Sequence, residues 1–218
     1  MKLAYINAFF AFVVIFLLLV IGSVIARADP IKDAVVMIQC LHTDQTKNTL
    51  GTGTVVSTYQ VITAAHVVDD CNIIKIKFNS GEERTADLQW IGSRSSMDVA
   101  VVSLSVPEGN PELHLSKATP KWGQEIRMIG FPQGLPYVMT RGIIAAVDKD
   151  SPGEMVVDVT GWHGMSGGPL LNKANEIIGI CSAGFMSSGG PGAQFIGLML
   201  AMRLDNVKNI PSFPKDLR

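Results

Sequence analysis

Val61-Ile62-Thr63-Ala64-Ala65-His66-Val67-Val68 opens on β-branched residues, turns through two alanines and delivers a histidine. β-branched side chains suit a pleated strand, and the small residues permit a tight turn, so the stretch reads as a strand followed by one helical turn over residues 64–68. A histidine set directly after such a strand is rigidly held. Outward from it, short Val- and Ile-rich runs recur, each bounded by Gly, Pro, Asn or Asp. They cover residues 34–40, 53–57, 61–63, 73–78 and 99–104. After a loop over 107–120 the pattern returns at 125–129, 138–147, 155–159, 170–171, 177–182 and 195–201. Two sets of about six strands predict an all-β protein of two antiparallel barrels in tandem. The other helical candidate is a short C-terminal piece at 203–208, and the Ser- and Gly-rich stretch 187–192 reads as a mobile loop.

Composition agrees with that class. Of 218 residues, 47% are hydrophobic and 17% charged, enough to bury a sizeable core and too apolar for a disordered tail. The 21 glycines and 11 prolines are spread along the chain, as short strands joined by tight turns require. Eighteen basic residues face 19 acidic ones, a formal charge of -1 without the basic footprint that phosphate backbones demand. Nucleic acid is therefore excluded as the expected partner.

The N-terminus stands apart. Residues 3–26 carry no charge, between Lys2 and Arg27. As a helix this stretch reaches roughly 36 Å, longer than the roughly 30 Å of a bilayer's hydrocarbon core. Ala26-Arg27-Ala28 also reads as a small-x-small cleavage site before Asp29. Residues 1–28 are thus either a signal peptide or a retained hydrophobic membrane helix, and both readings export the remainder. Without them, and without Lys2 and Arg27, the formal charge is -3. The expected barrels occupy 29–118 and 119–218.

Chemistry concentrates at three places. In Gly164-Met165-Ser166-Gly167-Gly168-Pro169, glycines around a serine permit the sharp backbone that exposes a hydroxyl and aims amide N–H groups at one point. His66 is the second. The third is Asp98, a lone carboxylate at the head of the apolar run Val99-Ala100-Val101-Val102, where burial without a partner costs several kcal/mol. The imidazole is its natural partner.

The order His66, Asp98, Ser166 resembles that of the chymotrypsin-like serine proteases. Gly51-Thr52-Gly53-Thr54-Val55-Val56-Ser57, Trp122-Gly123-Gln124-Glu125, Ile129-Gly130-Phe131-Pro132-Gln133-Gly134, Thr140-Arg141-Gly142-Ile143-Ile144 and Phe195-Ile196-Gly197-Leu198 resemble the HtrA/Deg branch of that family. With about 17 residues after the last expected strand, the match is to a member without PDZ domains. The resemblance implies a serine endopeptidase: Ser166 as nucleophile, His66 as general base, Asp98 as its orienting partner, and the amides of Gly164 and Ser166 as oxyanion hole. It implies a polypeptide substrate, no cofactor and no metal, and leaves the oligomeric state open. The alternative is a catalytically silent, chaperone-like peptide-binding module on the same fold, which takes an extended chain as an added strand.

By offset from Ser166, the same resemblance places Thr160 near the floor of the primary substrate pocket and Ser182, Ala183 and Gly184 along its wall. No carboxylate lies at that floor, so small or medium apolar P1 residues are expected rather than Arg or Lys. Met165 stands where trypsins carry Asp, so activation by a freed N-terminal amine has no counterpart, and competence is expected without cutting a propeptide. Trp90 and Trp122 read as core residues, Trp162 as able to touch substrate, and His163 as a pocket-rim residue. In an oxidising compartment Cys40 and Cys71 are candidates to pair, leaving Cys181 buried in the second barrel, although the sequence alone does not establish the bond. Cys40, His42, Cys71, His114 and His163 lack the paired spacing of zinc ligands.

Overall fold

The computed structural model describes residues 29–43, 48–93, 97–147, 153–187, 194–205, 207, 210 and 212–217. The expected export segment 1–28 and the interior of the expected loop at 187–192 lie outside the described residues. The chain enters through α1 (Pro30–Ala34), a short helix absent from the expectation. Asp29 caps it, with Oδ1 accepting the N–H groups of Ile31 at 3.1 Å and Lys32 at 3.5 Å. Pro30 occupies the first turn, where its missing N–H costs nothing.

The first barrel is built from β1 (Val35–Leu41), β2 (Thr49–Ser57), β3 (Gln60–Thr63), β4 (Ile73–Lys77), β5 (Glu83–Ile91) and β6 (Ala100–Ser103). It closes in the order β1-β2-β3-β6-β5-β4, and α2 (Ala65–Val68) leaves the end of β3. β5 is the strand that hydrophobic patterning missed. Only Ala86 of its nine residues is buried, because the strand turns mostly charged and polar side chains outward. Its place comes from ladder bonds to β4 and β6, which impose no apolar signature.

The second barrel comprises β7 (Glu125–Gly130), β8 (Val138–Val147), β9 (Glu154–Asp158), β10 (Pro169–Leu171), β11 (Ile177–Ser187) and β12 (Gln194–Arg203). It closes in the order β10-β11-β12-β9-β8-β7. Two closed six-stranded antiparallel barrels with few helical turns are the predicted fold. The helical piece expected at 203–208 is displaced: Arg203 ends β12, Val207 lies in a 3-10 turn, and the last helical turn is Lys215–Leu217. Arg203 is held in the strand by its ladder to Gly179 and buried beside Asp205, which it meets through Nη2 at 2.8 Å.

Each barrel has a core. One cluster gathers Ile38, Val55, Ile62, Ile76 and Val101 and continues across the seam to Phe131, Leu171, Ile177 and Met202. The other holds Met128, Ile144, Met155, Met165 and Leu170. Continuity of apolar burial across the seam fastens one barrel to the other. Polar links reinforce it, with Tyr137 donating its hydroxyl to Val35 O at 2.9 Å and Leu115 bridging to Ile177. Trp90 packs edge-on against Phe213 with ring centres 5.0 Å apart. Trp122 departs from expectation: at 80% exposed it projects from the turn before β7 and contributes nothing to the core.

Cys40 and Cys71 form a disulfide with Cα atoms 5.4 Å apart, tying β1 to the chain just after α2. Cys181 is free and buried, and burial together with the charge of Asp98 pushes its thiol up to about 12.

Candidate active site

The seam between the barrels collects the three side chains singled out above. β3 ends at Thr63, the chain turns through Ala64, and α2 presents His66. Asp98 precedes β6, the neighbour of β3, so strand pairing alone brings the carboxylate beside the imidazole. Asp98 Oδ2 lies 2.6 Å from His66 Nδ1, and Oδ1 accepts the main-chain N–H of His66 at 2.9 Å. Ser182, at the start of the outward half of β11, donates its hydroxyl to Asp98 Oδ2 at 2.5 Å.

Asp98 is 4% exposed. Burial alone would raise its pKa, but hydrogen bonds from the His66 ring and Ser182, the imidazole's charge and the His66 amide outweigh it. The carboxyl is held below the usual Asp range, and its ionised form faces Nδ1. That arrangement keeps the proton on Nδ1 and leaves Nε2 as the ring nitrogen for the cleft.

Ser166 comes from the loop before β10. Its Oγ donates to Ser182 O at 3.3 Å. His66 and Ser166 together line two cavities, one of about 320 Å³ with Leu50, Gln133 and Gly164, the other of about 830 Å³ with Ser182, Ala183 and Gly184. Both groups therefore open onto one cleft that continues to either side of them.

The loop itself needs its glycines. Gly164 and Gly167 sit at φ +95° and +82°, where a side chain is strained. A Cβ on Gly164 would stand 2.4 Å from Phe131 O, and one on Gly167 would stand 2.2 Å from Thr52 O. Met165, between Gly164 and Ser166, turns inward into the second core and is 1% exposed. Carbonyls of the loop are taken in turn: His163 O by Gln133 N at 2.8 Å, Met165 O by Gly168 N at 2.9 Å, Ser166 O by Thr52 N at 2.8 Å. Among the described residues, no acceptor takes the N–H of Gly164 or Ser166. Two amides next to the Ser166 hydroxyl thus remain available to an anion.

Of the expected pocket residues, Ser182, Ala183 and Gly184 line the larger cavity. Thr160 does not. It points to solvent, and its carbonyl is engaged by Thr140 Oγ1 at 2.9 Å. Gly161, Met186 and Met199 line that cavity instead, with a Cβ on Gly161 coming within 2.7 Å of Met199 Cε. Offset counting missed Met199 because it arrives from β12, a strand separated in sequence from the serine loop. Trp162, 51% exposed, and His163 form the rim, stacked edge-to-face with centres 6.2 Å apart. Among the described residues, no group of three His, Cys, Asp or Glu side chains is placed to hold a metal ion.

Two closed barrels with a His–Asp pair and a glycine-flanked serine at their seam define the chymotrypsin-like class of folds. Residues 51–180 match the family model for the trypsin-like peptidase domain, and the chain belongs to that family. A Halomonas elongata protein named "Probable periplasmic serine endoprotease DegP-like" is 36% identical over 171 residues, 75% of this chain and 34% of that protein. A counterpart of the same name from Hahella chejuensis is 34% identical over 179 residues, 79% of this chain and 37% of that protein. The chain thus spans about a third of the length of these relatives. Among solved structures, the serine endoprotease from Yersinia pestis superposes with a TM-score of 0.66 at 26% identity, over 79% of this chain and 59% of that one. The HtrA-type protease AlgW with tripeptide gives 0.65 at 27% identity, over 79% and 56%. The similarity to the HtrA/Deg branch is therefore found in sequence and in structure.

Proposed function

We propose that the protein is a serine endopeptidase of the HtrA/Deg type that cleaves polypeptides through an acyl-enzyme formed on Ser166. The observation that carries this reading is the two-pronged grip of Asp98 on His66, ring and backbone together, beside a serine whose neighbouring amides are free. Ser166 Oγ swings from Ser182 O to His66 Nε2 and attacks the scissile carbonyl as Nε2 takes its proton. The oxyanion is received by the N–H groups of Gly164 and Ser166, and His66 then returns the proton to the leaving amine. Water repeats the sequence to release the acyl group. In comparable enzymes one oxyanion donor is worth about 3–4 kcal/mol of barrier, so the loop matters as much as the triad.

The larger cavity supports an apolar P1 preference, because Met186, Met199 and Ala183 line it and no carboxylate does. Export is supported by the periplasmic relatives and by the Cys40–Cys71 disulfide, a bond that persists in oxidising compartments. Residues 1–28 would direct that export as signal peptide or anchor. Among the described residues, no helix is long and apolar enough to cross a membrane. The deciding experiment is labelling of the purified chain with a serine-reactive fluorophosphonate. Labelling of the wild type that vanishes in Ser166→Ala supports the reading. Equal labelling of both removes Ser166, and absence of labelling in a folded wild type leaves the silent peptide-binding module.

A further inference from the structure

Thr52 lies on β2 of the first barrel and is completely buried. Each polar atom it owns is spoken for, and three of the four contacts cross to the second barrel. Its Oγ1 donates to Gly164 O at 2.7 Å and accepts the N–H of Phe131 at 3.2 Å. Its main-chain N–H donates to Ser166 O at 2.8 Å. Its carbonyl accepts from Thr63 Oγ1, on the strand that leads to His66, at 2.7 Å.

A peptide unit is planar, so fixing a carbonyl fixes the amide across the same bond. The hydroxyl of Thr52 sets the Gly164–Met165 unit, and its N–H sets the Ser166–Gly167 unit. Between them lies the Met165–Ser166 unit, whose N–H is one of the two unclaimed amides. The other unclaimed amide, on Gly164, shares its α-carbon with the carbonyl that Thr52 Oγ1 holds. By the same rule the Gly164 amide is tied to the His163 carbonyl that Gln133 N holds at 2.8 Å, and the Ser166 amide to the Met165 carbonyl that Gly168 N holds at 2.9 Å. Thr52 Oγ1, together with Met165 N on Trp162 O at 3.0 Å, fixes the Gly164–Met165 unit that joins them, whose rotation about a glycine at φ +95° would turn one amide away from the other.

We propose that Thr52 is a positioning residue for the oxyanion hole: its hydroxyl, reaching across the seam, holds the Gly164 carbonyl so that the Gly164 and Ser166 amides face the cleft together. This rests on the endopeptidase reading above. Loss of the hydroxyl then costs transition-state stabilisation and spares substrate binding, because the larger cavity's lining does not include Thr52.

The test compares wild type, Thr52→Val, Thr52→Ser and Ser116→Ala on a peptide substrate, with the affinity of a peptidyl boronate, whose tetrahedral adduct places an oxygen in the hole, measured alongside. Thr52→Val keeps the side-chain shape and deletes the hydroxyl. It is expected to lower kcat by about 30-fold or more with KM changed less than about threefold, and to weaken the boronate by a similar factor. Thr52→Ser restores the donor and is expected to recover kcat to within about fivefold. Ser116→Ala deletes a buried hydroxyl bond, from Oγ to Glu176 Oε2 at 2.9 Å, outside both site cavities, and is expected to lose thermal stability while keeping most of kcat.

A folded Thr52→Val with kcat within twofold of wild type overturns the proposal. So does a Ser116→Ala that loses as much kcat and boronate affinity as Thr52→Val. If Thr52→Val does not fold, Thr52→Cys, which replaces the hydroxyl by a weak donor of similar bulk, serves in its place with the same criteria. A wild type that neither cleaves nor binds the boronate speaks against the endopeptidase reading itself, a result distinct from either of these.

Discussion

Asp98 grips His66 at two points at once, with Oδ2 2.6 Å from the ring Nδ1 and Oδ1 2.9 Å from the main-chain nitrogen it accepts. A carboxylate serves both because both its oxygens accept. A carboxamide serves only one. In Asp98→Asn the carbonyl oxygen stays with the main-chain N–H and the amide NH₂ faces Nδ1, so the ring proton moves to Nε2 and His66 ceases to be a base. Proteolysis is expected to fall by about 10³–10⁴-fold with the fold retained, a loss read from kcat and from unchanged circular dichroism.

The same pair sets an acid limit on stability. Because the folded carboxyl of Asp98 is depressed below its unfolded value, its ionised form contributes stability that is complete above the unfolded carboxylate pKa and is lost as pH falls through the folded one. The stability difference between wild type and Asp98→Asn, from urea midpoints, is therefore expected to shrink as pH falls below about pH 4. A difference that grows as pH falls below about pH 4 runs against this assignment.

Gly167 is expected to be intolerant of any side chain. Its φ is +82°, and an added Cβ would meet Thr52 O and Thr63 Oγ1, each at 2.2 Å, and Ala64 N at 2.8 Å. None of these is the far end of a flexible side chain. Gly167→Ala is expected to cost about 3 kcal/mol or more, measured by chemical denaturation, and to separate His66 from Ser166 because the displaced atoms lie on the path to both.

Specificity is expected to turn on Met199. With no carboxylate in the larger cavity, Val at P1 is expected to outrank Arg by more than about tenfold in kcat/KM, or about 1.4 kcal/mol. Met199→Ala empties the space opposite Gly161 and is expected to shift preference toward Leu and Phe. A fluorogenic P1 series on both proteins measures the change.

The disulfide has a simple thiol signature. Native protein is expected to expose no reactive thiol, denatured unreduced protein one from Cys181, and denatured reduced protein all three. Cys71→Ala is expected to lose about 2–4 kcal/mol of stability through the freed loop.

Legibility followed the reach of each signal. Among the described residues, eleven of twelve strands carry alternating or continuous apolar runs, which period-two patterning detects. The exception, β5, buries a single alanine and is specified by its neighbours' backbone groups. Trp122 shows the converse error, since a large aromatic side chain does not by itself announce burial, and this one is 80% exposed. Ser182 lines the larger cavity and its hydroxyl also donates to Asp98; a serine gives no hint in sequence of which way it turns.

Residue order and local pattern by themselves determined the all-β class, the tandem arrangement, the order of His66, Asp98 and Ser166, and the demand for glycine around the serine, because each is written within a few neighbouring positions. Tertiary structure alone decided that Thr52 holds Gly164 across 112 residues, that Ser182 reaches Asp98 across 84, and that Met199 rather than Thr160 lines the larger cavity. Those relations depend on how two barrels close and on how one seats against the other. Hydrogen-bond geometry at a seam is set by strand register and twist, which no periodicity along the chain records.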